Sequence, residues 1–99
     1  MDSKMTVGVV GAGNMGSGIA QKLAQEGLDV ILQDMKQDFV DRGLANIRKT
    51  LQQGVERKIL TPQQVEETMA RIQGTDDPQN LANADLIIEA IFEDEKVKK

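Results

Sequence analysis

The chain contains no cysteine, no histidine, no tryptophan and no tyrosine. Without Cys there can be no disulfide, thiolate nucleophile or Cys-ligated zinc. Without His, imidazole base catalysis and most transition-metal sites are excluded as well. Any chemistry in these 99 residues falls to carboxylates, Lys, Arg or hydroxyls. A basic excess is also missing: 12 Lys plus Arg stand against 16 Asp plus Glu, a net charge of -4, which argues against nucleic-acid or membrane-surface binding as the main activity. The opening Met1-Asp2-Ser3-Lys4 has no signal-peptide layout, and no apolar stretch is long enough to span a bilayer, so the expected setting is cytoplasmic. What remains is ordinary for a soluble folded chain, with 39% hydrophobic and 28% charged residues, although the length leaves little room for a complete two-substrate active site.

Residues 5–10 form a short β-branched run that stops at Gly11-Ala12-Gly13, a pattern that predicts a buried strand ending in a tight turn. From Asn14 to Glu26, Met15, Ile19, Ala20, Leu23 and Ala24 recur at helical spacing, and Gly27 follows where a helix ends. A second apolar strand over 29–34 then implies a right-handed crossover and a parallel pair. A long amphipathic helix is expected from Gln37 to about Lys58. Val40, Leu44, Ile47, Leu51 and Val55 lie on one side, and Arg42, Lys49, Thr50 and Arg57 on the opposite, basic side. Thr61, Pro62 and Gln64 form a capping box with Leu60 set to pack on Val65, so a second helix starts there and runs to about Ile72, making a helical hairpin. A third strand over 71–75 is placed mainly by topology, a short helix at most fills 78–84, and 85–92 reads as a buried fourth strand. The charged residues 93–99 open another helix. No internal repeat, low-complexity segment or interdomain linker is visible. This order specifies an α/β fold with an open, doubly wound parallel sheet of the Rossmann type, here with about four strands and a helical hairpin between strands two and three.

Gly11-Ala12-Gly13-Asn14-Met15-Gly16 fits G-x-G-x-x-G directly after a strand and at the opening of a helix. Gly11 permits the tight turn, Gly13 lets a pyrophosphate come close to the backbone, and Gly16 lets the helix approach the strand, with the helix N-terminus facing the anion. A bare glycine turn without a ligand is the competing reading. Asp34, at the end of the second strand, shifts the balance, because a carboxylate there accepts hydrogen bonds from the adenosine ribose. An acid at this position repels a 2′-phosphate and no Arg follows it, so NAD is favoured over NADP despite Lys36 nearby. Glu93, just past the fourth strand, should stand across the crevice from Gly13, although on its own the run from Glu93 to Lys99 reads as a solvated charged face.

The run from Val9 through the glycine loop to Gln21, the Asp34 strand, and the run from Ala84 through Leu86-Ile87-Ile88-Glu89-Ala90 to Glu93 together resemble the N-terminal part of the L-3-hydroxyacyl-CoA dehydrogenases, 3-hydroxybutyryl-CoA dehydrogenases among them. The glycine loop is shared by many dehydrogenases; the hairpin and the I-I-E-A-I-x-E-x-x-x-V-K ending are more specific. The resemblance implies oxidation of the 3-hydroxyl of an acyl-CoA by hydride transfer to NAD. It further implies that Gly11, Ala12, Gly13, Asn14, Met15 and Gly16 hold the pyrophosphate and Asp34 the ribose. Glu93 and Lys98 would contact the cofactor, and Thr50 and Arg57 would contact coenzyme A. Arg57 stands where the family carries Lys, which keeps the charge but changes the hydrogen-bond geometry.

The His, Glu, Ser and Asn that carry catalysis in such enzymes lie beyond the matched segment, so no catalytic residue and no metal ligand is expected here. The expectation is therefore a truncated piece of a longer, homodimeric enzyme, its 99 residues forming the first portion of the NAD-binding domain. An exposed fourth-strand edge would then favour self-association. The alternative reading is a non-catalytic NAD/NADH-sensing module acting on a protein partner, against which the basic hairpin face argues.

Overall fold

The computed structural model describes residues 5–90. Along the chain run β1 (Thr6–Val10), α1 (Asn14–Gln25), β2 (Asp29–Gln33), α2 (Gln37–Glu56), α3 (Pro62–Ala70), β3 (Ile72–Thr75), a 3₁₀ helix over Pro78–Asn83 and β4 (Leu86–Glu89). All strand pairs are parallel, in the order β3-β2-β1-β4. Strand order therefore reverses direction at β1 and β4, which opens a crevice beyond their carboxyl ends. This is the expected Rossmann-type arrangement, with the α2–α3 hairpin between β2 and β3.

The core explains the order of elements. Val7 and Val9 of β1, Val30 and Leu32 of β2, Ala20 and Ala24 of α1, Ile47 and Leu51 of α2 and Val65 of α3 form one buried cluster. Each helix contributes the stripe that its spacing predicts, and each central strand is buried because helical layers cover it. On the other face of β1, Gly8 lies so close to the 3₁₀ helix that a Cβ there would stand 2.6 Å from the Leu81 side chain. Arg71, the C-cap of α3, ties that helix end to α1 by donating from Nη1 to the Ala24 carbonyl at 2.9 Å, an oxygen that also accepts from the Gly27 N–H at 3.0 Å.

Two expectations are corrected. Ile72, where the expected helix end and the expected third strand overlap, belongs to the strand alone: α3 ends at Ala70, and Ile72 opens β3 opposite Val30, where the sheet buries it. β4 is also not buried along its length. Leu86 and Ile87 are each 49% exposed, because β1 is the only strand paired with β4 among the described residues. Elsewhere among the described residues the boundaries move by a residue or two, and α2 ends at Glu56, ahead of the left-handed Lys58 at φ 64°; the expected end of the fourth strand and the helix over 93–99 lie outside the described residues.

Candidate functional site

The carboxyl end of β1 leads into the glycine loop, and hydrogen bonds fix that loop from three sides. The Gly11 N–H donates to the Gln33 carbonyl at 2.7 Å, and Gly11 takes φ 106°, a conformation open to glycine and strained for other residues. The Ala12 N–H donates to Asp34 Oδ2 at 2.8 Å. The buried Ser17 hydroxyl donates back to the Ala12 carbonyl at 3.0 Å. Asp34 is held in turn: its Oδ1 accepts from the Met35 N–H at 2.7 Å, and its own N–H donates to the Thr75 carbonyl at 3.3 Å. The Gln33 side chain clamps the same corner by donating to the Asp34 carbonyl at 3.0 Å and the Asp76 carbonyl at 3.3 Å.

The glycines differ in what their missing side chains permit. A Cβ on Gly16 would fall 1.6 Å from the Gly11 carbonyl oxygen, so the turn between β1 and α1 closes only without one. A Cβ on Gly13 would meet nothing within 4 Å. Packing therefore gives no reason for glycine at Gly13; the space it leaves opens in front of the loop. Gly13 is also the N-cap of α1, no side chain caps that end, and the first turn carries no acid. The first N–H groups of α1 and its positive dipole end thus face that open space, an arrangement suited to an anion.

Asp34 and Gly13 form the wall between two cavities. One, of about 260 Å³, reaches from Gly11 and Met15 to Met35 and Ala90 in the crevice between β1 and β4. The other, of about 320 Å³, lies between Asp34 and α2, where Phe39, Arg42 and Asn46 line it. Both are near the lower end of the size range for ligand pockets. The glycine loop and Asp34 fit a dinucleotide on these observations: an uncapped helix start, a vacant Cβ position, and a carboxylate whose oxygens each have lone pairs left after one backbone bond.

Of the residues singled out in the sequence, Gly11, Ala12, Gly13, Asn14, Met15, Gly16 and Asp34 come together at this corner. Thr50 lies apart, in a cleft of about 310 Å³ between α1 and α2 that Asn14, Gln21, Asn46 and Lys49 also line. Its hydroxyl donates to the Asn46 carbonyl at 3.0 Å. Arg57 is exposed at the C-cap of α2 and lines none of these three cavities. Glu93 and Lys98 lie outside the described residues. In the sequence Arg42 shares one basic face with Thr50 and Arg57, and no Arg directly follows Asp34; the fold instead sets Arg42 beside Asp34 in the second cavity. Gly43, outside the glycine motif, is a further residue of this corner: a Cβ there would stand 2.8 Å from both the Ala12 carbonyl oxygen and Ser17 Oγ. The helical spacing of Phe39, Gly43 and Asn46 was the available signal. Among the described residues no group of His, Cys, Asp and Glu could hold a metal ion, and no helix is long and apolar enough to cross a membrane.

Residues 6–99 match the family model described as 3-hydroxyacyl-CoA dehydrogenase, NAD binding domain. The chain is 47% identical over 94 residues to a probable 3-hydroxybutyryl-CoA dehydrogenase of Deinococcus radiodurans, covering 95% of this chain and 34% of that protein. It is 43% identical over 90 residues to a fatty acid oxidation complex subunit alpha of a Psychrobacter species, covering 91% of this chain and 12% of the relative. The crystal structure of (S)-3-hydroxybutyryl-CoA dehydrogenase from Ralstonia eutropha superposes with a TM-score of 0.89 at 38% identity, over 97% of this chain and 34% of that one. The chain thus spans about a third or less of the length of these relatives. With the family model matched over residues 6–99 and a relative 47% identical over 95% of the chain, the chain belongs to the NAD-binding domain family of the 3-hydroxyacyl-CoA dehydrogenases.

Proposed function

We propose that these residues hold the adenosine diphosphate half of NAD in a cytoplasmic oxidoreductase that converts L-3-hydroxyacyl-CoA to 3-oxoacyl-CoA, in fatty-acid β-oxidation or butanoate metabolism. The observation that carries this reading is the corner at which Asp34, fixed by the Ala12 N–H, stands beside an uncapped helix start with an empty Cβ position at Gly13. The N–H groups from Gly13 to Gly16 take the pyrophosphate, and Asp34 accepts from the adenosine ribose hydroxyls. Glu93 and Lys98 contact the cofactor from beyond β4. Thr50 and Arg57 take the coenzyme A moiety of the acyl-CoA substrate along α2. When bound, the nicotinamide supplies the hydride acceptor; the residues of this chain bind and orient. The proton of the substrate hydroxyl is handled by groups elsewhere in a longer homodimeric enzyme. The 99 residues form the first portion of its NAD-binding domain.

Two substitutions separate the assigned subsites. Asp34→Ala weakens NADH binding by about tenfold or more, the worth of hydrogen bonds to a charged group, and leaves coenzyme A binding as it was. Arg57→Ala does the reverse. Titration calorimetry of both variants with both ligands reads this directly, and equal loss of both ligands in both variants would overturn the assignment.

A further inference from the structure

The second cavity carries a charge for which NAD recognition has no use. Phe39, Arg42 and Asn46 follow one another at helical spacing on the side of α2 turned to the glycine loop. Gly43 allows α2 to approach the Ala12 carbonyl, which brings the adjacent Arg42 up to the cavity. Arg42 has no hydrogen-bond or ion-pair partner among the described residues. Asp34 lines the same cavity but does not pair with it, and its carboxylate is engaged by the Ala12 and Met35 N–H groups. A second cation stands close by, with Lys36 Nζ 5.9 Å from the centroid of the Phe39 ring.

We propose that Arg42 is a specificity-determining residue of the adenosine ribose subsite: it is placed to take a phosphate on the ribose 2′-oxygen, and Asp34 is the group that keeps such a cofactor out. The proposal rests on the reading of Asp34 given above. An unpaired guanidinium offers a planar fork of donors that matches a phosphate bidentately. The carboxylate beside it, an acceptor with no proton to give, repels the same phosphate. The site thus holds both halves of the NAD/NADP choice, and one side chain decides between them.

Fluorescence titration with NADH and NADPH tests this. The native chain binds NADH in preference to NADPH. Asp34→Ser raises NADPH affinity by about tenfold, and adding Arg42→Ala removes that gain. NADPH affinity that rises equally with and without Arg42 would overturn the proposal. If Asp34→Ser does not fold, Arg42→Ala alone decides: it lowers the weaker NADPH affinity severalfold and leaves NADH within about twofold, whereas unchanged NADPH binding would be contrary. No NADH binding by the native chain defeats the underlying reading and this proposal with it. NADH binding with Arg42-independent NADPH binding defeats this proposal alone.

Discussion

At Gly16 and Gly13 the same residue type serves two physical ends. Gly16 is structural, since its Cβ would overlap the Gly11 carbonyl, which is backbone and cannot swing away. Gly16→Ala should therefore lower stability by about 1–3 kcal/mol or more, as overpacking does, with the shift read as a lower urea midpoint. Gly13→Ala meets no atom within 4 Å. It should change stability by no more than about 1 kcal/mol, the scale of a lost N-cap preference, while weakening NADH binding. If Gly13→Ala bound NADH as the native chain does, the space in front of the loop would not be a cofactor space. Gly43→Ala belongs with Gly16, because its Cβ would press on the Ala12 carbonyl and Ser17 Oγ and push α2 away from the loop.

At the scale of elements, the hairpin shows how far local chemistry dictates structure. Thr61 Oγ1 accepts from the Gln64 N–H at 3.1 Å and Gln64 Oε1 accepts from the Thr61 N–H at 2.8 Å, the reciprocal box written in the sequence. Thr61→Ala should lower stability by about 1 kcal/mol, measurable by thermal or urea unfolding. Across the hairpin Arg48 Nη1 meets Glu66 Oε2 at 2.8 Å. Hydrogen bonding to Arg48, and then its charge, hold the Glu66 carboxyl below the usual carboxylate range. A depressed folded-state value means that the pair's contribution is present above the ordinary Glu value of about 4.3 and fades as pH falls through the lower one. Both side chains are exposed, so the contribution is small and screened by salt. Urea unfolding of the native chain and Glu66→Gln should differ slightly at neutral pH and converge in acid; a gap that widened in acid would contradict this.

These elements also show what was legible and why. α1, α2 and α3 declared themselves through apolar spacing and caps, which are local properties. Ile72 fell in both the expected helix end and the expected third strand, because the decision between the two rests on Val30, a partner far away in sequence. The glycine loop and Asp34 were legible as a motif with fixed spacing. The place of Arg42 was not, since residues on one helix face divide between two cavities according to how close α2 lies to the loop, and Gly43 sets that distance.

At the scale of the whole molecule, the sheet order β3-β2-β1-β4 puts the candidate site at the carboxyl end of the central strands and the apolar flank at one edge. Leu86 and Ile87 on that edge are half exposed, and an apolar edge strand is a template for pairing. The 99-residue chain on its own should therefore self-associate as its concentration rises. Leu86→Lys with Ile87→Lys should shift sedimentation toward the monomer, and a native chain that stays monomeric over a wide concentration range would count against this. The central claim concerns the other end of the sheet, and an amide NMR titration of the chain with NAD tests it most directly. The account predicts shifts concentrated on the N–H groups of Gly11 to Gly16, Asp34 and Met35, with the α2–α3 junction unmoved; shifts centred on that junction, or none at millimolar NAD, would contradict it.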